Sequence, residues 1–302
     1  MTSPPLSERV GAGRGVALLC VAVAMFACMD AMNKHLTASL PVLEIAWARY
    51  MSNWVLVMLL FAPRMGWRLW RTGRPGIQLV RGALLALSTL FFVGGLAYLP
   101  MAEATALGFV APIFVAVLSL PLLGERVGAR PWIAVAVGFA GVLIVLRPGG
   151  SVFHSGALLP LAAAASYGLY QILTRKVSGS ESPLTSWFYS ALVGALGFSL
   201  VLPWMWRTPP DLGAAAMLAT AGLLGGTGHY LVIKAVESTP PALLAPFHYT
   251  QMAWVIALGY FVFGDFPDPV TLAGIAIILG AAIGVSLAGA RRRPAGGAPE
   301  TK

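Results

Sequence analysis

Eight ionisable residues stand inside long apolar runs of this sequence: Asp30, Glu44, Arg49, Arg81, Glu103, His229, Lys234 and His248. A charge at the centre of a membrane helix costs about 2.5–3.5 kcal/mol on insertion scales, so such residues are candidates for function. Arg49 is the most demanding. It lies eight residues past Pro41, about 12 Å of helix at about 1.5 Å per residue. That is near the middle of its run, where it must face protein or a water-filled cavity. Two roles fit it equally: a structural pair with Asp30, or direct contact with a substrate carboxylate. Asp30 and Asn33 are one helical turn apart, and Asp30 is a candidate proton carrier. Glu44 and Glu103 follow Pro41 and Pro100 in the first turns of their helices, where a carboxylate also favours the positive helix end. Arg81 and Lys234 lie within two turns of helix ends, from which long cationic side chains reach water by snorkelling.

Aromatic and amide residues form a second pool. Small-molecule pockets are walled by aromatics with a few placed polar groups. Phe92, Tyr98, Phe109, Tyr167, Tyr170, Gln171, Tyr230, Tyr249, Gln251 and Thr89 join Asp30, Asn33, Arg49, Glu103, His229 and His248 as the expected lining of a central cavity. Phe26, Trp54 and Trp254 belong to the same wider pool. Trp204 and Trp206 fit an outer interfacial belt, and Trp67 and Trp70, set among arginines, an inner one. Pro112 and Pro246 sit within spans. A proline there frees a backbone carbonyl, which membranes tolerate beside cavities, so the two helices are expected to bend around a substrate. Proton coupling would draw on Asp30, Glu103, His229 or His248; facilitated diffusion needs none of them.

Ten apolar stretches must position these residues. They run 15–36, 41–62, 76–98, 101–121, 131–147, 155–175, 184–203, 213–236, 240–262 and 268–289. Each is close to the roughly 20 residues that cross a bilayer. The chain is 58% hydrophobic and 10% charged, against about 25% charged in soluble domains, so lipid is its solvent. The net charge of +9 does not mark a nucleic-acid binder, because the cations sit between the apolar runs and form no basic face interleaved with aromatics. Cys20 and Cys28 share one apolar run and read as small membrane-core residues.

The cations also set orientation. Fourteen flank the spans on the side of the N-terminus (Arg9, Arg14, Arg64, Arg68, Arg71, Arg74, Arg126, Arg130, Arg175, Lys176, Arg291, Arg292, Arg293 and Lys302). Three, Lys34, Arg147 and Arg207, flank the other side. This places both termini in the cytoplasm and requires an even number of spans. The first run is long and nine others follow, so it reads as an uncleaved helix, not a signal peptide.

The second half of the chain echoes the first. Gly15 matches Gly156, Pro41 matches Pro183, Gly82 matches Gly222, Pro100 matches Pro240 and Gly124-Glu125 matches Gly264-Asp265, at a steady offset of 140 to 142 residues. By the same register Phe26 matches Tyr167, Asp30 matches Gln171, Thr89 matches His229 and Phe109 matches Tyr249. Five spans per half turn the second half upside down in the membrane, an inverted repeat of the kind found in secondary transporters. A duplicated channel or membrane scaffold is the alternative. The expected division is a tail at 1–14, a first repeat at 15–150, a second at 151–289 and a basic tail at 290–302. Ala134-x-x-x-Gly138 and Gly280-x-x-x-Gly284 have the spacing of close helix contacts, which puts the last helix of each half at the periphery, bracing the halves or meeting another subunit.

The run Leu99-Pro100-Met101-Ala102-Glu103-Ala104 through Pro112, then Gly124-Glu125-Arg126 and Gly138-Phe139-Ala140-Gly141-Val142-Leu143, resembles the EamA-type repeat. Ala245-Pro246-Phe247-His248-Tyr249-Thr250 and Phe263-Gly264-Asp265-Phe266-Pro267-Asp268 resemble it in the second half. Over nearly the whole chain the sequence is similar to the drug/metabolite transporter superfamily, and within it to YddG-like bacterial exporters. The resemblance implies an all-α polytopic fold of ten helices in two inverted five-helix repeats. It also implies export of amino acids, aromatic ones included, across the bacterial inner membrane. The halves differ: Met252 stands opposite Pro112. A permease for drugs or other metabolites is the alternative within this fold. No His-Glu-x-x-His, Gly-x-Ser-x-Gly or Walker loop is present, so neither an embedded enzyme nor direct drive by ATP is expected. The expected partners are a small-molecule substrate and the bilayer, with no cofactor, metal or nucleic acid, and the chain is a monomer or a homodimer.

Overall fold

The structure, a computed structural model, describes residues 6–123, 129–147, 155–177, 179–239 and 241–291. The Gly124-Glu125-Arg126 motif, Pro240 and the basic tail from Arg292 lie outside the described residues. Within them the chain is all-helical, with no strand. The α-helices are α1 (Leu6–Leu36), α2 (Val42–Met65), α3 (Pro75–Leu96), α4 (Met101–Gly108), α5 (Ala111–Leu123), α6 (Ala129–Leu146), α7 (Leu158–Val177), α8 (Pro183–Val201), α9 (Leu212–Ser238), α10 (Pro241–His248), α11 (Gln251–Phe263) and α12 (Pro269–Arg291). Six are long and apolar enough to cross a membrane: those within Gly13–Leu36, Val42–Leu69, Pro75–Leu96, Ser155–Val177, Pro183–Trp204 and Leu212–Ser238.

The starts and stops follow local chemistry. Pro41 and Pro100 cap α2 and α4, and Pro75 and Pro183 open α3 and α8, positions where the missing N–H costs nothing. Asp211 caps α9 by accepting from the Ala214 N–H at 2.7 Å. Gly264, at φ 73°, takes the left-handed turn that ends α11. Helix α1 starts at Leu6, inside the segment expected as a tail, because nothing after Pro5 breaks it.

Two stretches expected as single helices are each two. Helices α4 and α5 are separated by Phe109 and Val110, and α10 and α11 by Tyr249 and Thr250, positions 140 apart. Tight i→i−3 bonds fill both gaps: Val110 N–H to Leu107 O at 3.2 Å and Thr250 N–H to Phe247 O at 3.2 Å. The prolines are not at the gaps. Pro112 is the second residue of α5, and Pro246 is inside α10, three residues before Tyr249.

The helices pack chiefly across the halves, and the pairs mirror one another. Helix α1 lies on α9 as α3 lies on α7; α2 on α9 as α8 on α3; α1 on α11 as α7 on α5. Glycines permit the approach at matching points. A Cβ on Gly82 of α3 would lie 2.7 Å from Val193 Cβ of α8, and one on Gly222 of α9 would lie 2.4 Å from Ser52 Cβ of α2. Helices α6 and α12 brace each other. Their contact runs through Gly141 and Gly274, whose added Cβ atoms would meet Ile278 and Val145 within 2.9 Å, while Gly138 packs on Ile113 of α5 and Ala281 of α12. Gly280 and Gly284 face open space instead.

The end of the molecule opposite the N-terminus is stapled by charge. The Lys34 ammonium donates to Leu99 O at 2.7 Å, stands 3.6 Å from Asp265 Oδ2, and lies over the Phe263 ring. Arg147 holds Asp268 at 2.5 Å. With help from the Thr271 hydroxyl, the guanidinium holds the Asp268 carboxyl well below the usual carboxylate range. Glu44 is fully buried, and its Oε2 accepts the Arg207 N–H at 3.0 Å, so this carboxylate fastens the α8–α9 connection besides facing a helix start.

Candidate binding chamber

A cavity of about 530 Å3 lies between the halves. It reaches both helix breaks, with Gly108, Phe109, Ala111 and Pro112 on one side and His248, Tyr249 and Gln251 on the other. The two broken segments meet there: the Phe109 and Tyr249 rings stand 5.3 Å apart, edge to face. Of the remaining residues expected at such a site, Asp30, Arg49, Thr89, Phe92, Tyr167, Gln171 and His229 line this cavity. The repeat register explains the pairing of its walls. Phe26 and His229 pack at 5.1 Å, and their counterparts Tyr167 and Thr89 line the same chamber.

Helical spacing selects the lining. On α3 it comprises Leu85, Ser88, Thr89 and Phe92, and on α7 Ala163, Ala164, Tyr167 and Gln171, residues three and four apart on one face. Polar side chains are held before any ligand arrives. The Tyr50 and Thr89 hydroxyls share a hydrogen bond of 3.1 Å, and Ser88 donates to Ala163 O at 2.9 Å. The Gln251 amide donates to Asp30 Oδ2 at 3.4 Å. The stretch Gly225-Gly226-Thr227-Gly228 of α9 leaves room for larger groups: its glycines abut Met29 and Arg49, Leu56 and Asn53, and Phe26.

Arg49 is the cation of the chamber. Its charge acts on Asp30, Tyr50, Tyr167 and His229. Yet among the described residues no carboxylate lies within ion-pair distance of it. A half-buried guanidinium lining one cavity with a buried carboxylate, between aromatic walls, can take a carboxylate on its planar fork of donors and an ammonium group opposite.

Other expected residues lie elsewhere. Tyr98 is 57% exposed at the end of α3, its ring filling the space left by Gly156. Glu103 sits with the charged groups near Lys34, Arg147, Asp265 and Asp268, because the first turn of α4 stops short of the chamber. Tyr230 turns into an aromatic cluster, 6.4 Å from Trp187 and 5.8 Å from Phe61. Asn33 is fully buried one turn beyond Asp30, with neither amide atom partnered. Trp254 is exposed and Trp54 packs beside Val57 and Phe188.

A second cavity of about 290 Å3 shares Arg49, Leu85, Tyr167, His229 and Val232 with the first. It continues past Tyr170 and Arg81 to Glu181 and exposed Pro183, on the N-terminal side. Arg81 does not snorkel. It is 1% exposed and turned into the protein. Asn53 and Ser186, which line this second cavity, are not among the residues expected from the sequence. The available signal for Asn53 was its spacing, one turn past Arg49 on the same face of α2.

Residues 13–147 and 154–287 each match the EamA-like transporter family. The chain is 30% identical to the S-adenosylmethionine uptake transporter of Rickettsia bellii (strain RML369-C), over 89% of this chain and 92% of that one. It is 29% identical to the riboflavin transporter of Rhizobium johnstonii, over 89% of each. It is 28% identical to the pseudopaline exporter CntI of Pseudomonas aeruginosa (strain PAO1), over 90% of this chain and 95% of that one.

Proposed function

We propose, from the premise that the chain belongs to the EamA-like transporter family, that it is a secondary transporter moving amino acids, aromatic ones included, out of the bacterial cytoplasm. In this reading ten segments span the inner membrane, α4 with α5 and α10 with α11 each making one broken span, and both termini are cytoplasmic. Substrate binds in the chamber between the inverted halves. Its carboxylate rests on Arg49, its ammonium group faces Asp30, and its side chain lies among Phe26, Phe109, Tyr167, Tyr249 and His229. The observation that carries this reading is the Arg49 guanidinium, exposed to the chamber with no ion-paired carboxylate among the described residues. The cavity size, about 530 Å3, falls within the roughly 300–1,000 Å3 of small-molecule sites.

The chamber continues toward the N-terminal side, and the charged groups around Lys34 close the opposite end. This is the arrangement of a carrier open to the cytoplasm. Rocking one half against the other would break the Lys34 contacts and bring the α1–α9 and α3–α7 pairs together at the cytoplasmic end, the alternating access of inverted-repeat carriers.

A second reading, transport of S-adenosylmethionine, is favoured by the 30% identical relative. That compound has an α-amino acid group and an aromatic base, which the same lining serves. A panel of labelled compounds in proteoliposomes separates the readings. Saturable flux of phenylalanine, tyrosine or tryptophan is the expected outcome. Flux of S-adenosylmethionine alone supports the second reading, and flux of neither, with riboflavin carried instead, overturns both.

A further inference from the structure

We propose that the smaller cavity around Arg81 is a second anion site, taking a carboxylate-bearing small molecule on the path between the N-terminal surface and the Arg49 chamber. The first observation is the company Arg81 keeps. Its side chain is 1% exposed, yet every group that solvates it is neutral. Gln78 Oε1 accepts from Nε at 3.2 Å and from Nη2 at 2.9 Å, and Ser186 O accepts from Nη2. Tyr170 OH and Thr174 Oγ1 accept from Nη1 at 3.2 and 3.3 Å. Among the described residues no carboxylate pairs with it. Glu181, the acid in the lining, instead accepts the Gly73 N–H at 2.9 Å. A buried charge without an ion-paired counter-charge is costly; Glu181 acts on it only from a distance, and the guanidinium borders a cavity that an anion can enter.

The second observation is the cavity wall. Trp187, 7% exposed, lines it, and its buried indole N–H has no partner. The Tyr170 and Tyr167 rings stack at 5.5 Å along the same wall, and the Arg81 guanidinium lies 5.1 Å from the Tyr170 ring. The third is its position. Arg49 and Arg81 both line this cavity, and Glu181 stands toward the surface. An anion leaving the surface meets the carboxylate, then Arg81, then Arg49. The bonds from Nη1 to Tyr170 and Thr174, at 3.2 and 3.3 Å, are as long as any of the set and go to hydroxyls, so an incoming carboxylate displaces them most readily. The site needs no particular transported compound and stands apart from the amino acid reading.

The test uses purified full-length protein in detergent and 4-fluorobenzoate as probe, a carboxylate without an ammonium group, followed by fluorine NMR line broadening. The Arg49→Gln variant removes the chamber cation. Broadening persists in it and is weakened about 10-fold or more by adding Arg81→Gln, a loss typical of charge-assisted bonds. Thr174→Asp guards against misfolding. It places a carboxylate on the protein beside Nη1, so the fold is kept while the probe is excluded, and Arg49→Gln/Thr174→Asp shows no broadening. Neutral 4-fluorobenzamide is broadened equally in all variants. Equal broadening by benzoate in Arg49→Gln and Arg49→Gln/Thr174→Asp overturns the proposal, as does no benzoate binding in the parent protein. Amino acid flux without benzoate binding sinks this site alone; benzoate binding without amino acid flux sinks the amino acid reading alone.

Discussion

Arg49→Gln lowers amino acid flux in proteoliposomes by about 30-fold or more, while the protein still elutes as a single folded species. The magnitude follows from removing one partner of a buried, hydrogen-bonded charge pair, about 2–5 kcal/mol, which is a factor of about 30 to several thousand. The variant folds because Arg49 is half-buried beside a chamber and joins no ion pair among the described residues, so glutamine leaves no stranded partner. Arg49→Lys recovers only part of the flux. An ammonium keeps the charge but lacks the planar fork that grips a carboxylate at two points. Flux and saturation measured on the three proteins in matched liposomes check this, and unchanged flux in Arg49→Gln removes Arg49 from the mechanism.

Reversing Lys34 has the next largest effect, and it is reversible by design. Near Lys34 stand Glu103, Asp265 and Asp268 against Arg147. Lys34→Glu leaves one cation among four carboxylates and opposes Asp265 where the pair now stands at 3.6 Å. Two unit charges at about 4 Å interact by about 4 kcal/mol at the dielectric typical of a protein surface. The end held shut by Lys34 then opens, and transport falls about 10-fold or more because a carrier held in one state cannot cycle. Lys34→Glu/Asp265→Lys restores the pair with its sense reversed, and flux returns to within a few-fold of the parent. A double-mutant cycle measures the coupling. If the double variant is as inactive as the single one, the pair is not the closure.

Much of this architecture is legible in the sequence, and the illegible parts share a cause. Prolines at 41, 75, 100 and 183 mark helix starts because their chemistry is local. The 140-residue register between Phe109 and Tyr249 is visible without knowing that the chain breaks at both. Bends in both spans are expected from Pro112 and Pro246, but the break positions are not visible: the first break ends two residues before Pro112 and the second begins three residues after Pro246. The breaks fall where the two segments meet at the Phe109–Tyr249 contact, and no local signal encodes that meeting point. Arg81 shows the same limit. A cation two turns from a helix end satisfies snorkelling and inward burial equally, and only the contact of α3 with α7 and α8 decides. Tyr98, in the turn after α3, and Tyr230, rotated toward an aromatic cluster on α9, have the residue type of a pocket wall without its position. Gly280 and Gly284 have the right spacing for a contact, whereas Gly141 and Gly274, which make one, have no motif.

The central claim is that one chamber between inverted halves is served alternately from each side. Counterflow tests it most directly. Proteoliposomes loaded with unlabelled phenylalanine, or left empty, are diluted into trace labelled phenylalanine. The loaded vesicles transiently accumulate label several-fold above the empty ones, as exchange through one alternating site requires, and Arg49→Gln abolishes the overshoot. Label that enters loaded and empty vesicles alike, without saturation, describes an open pore and contradicts the account.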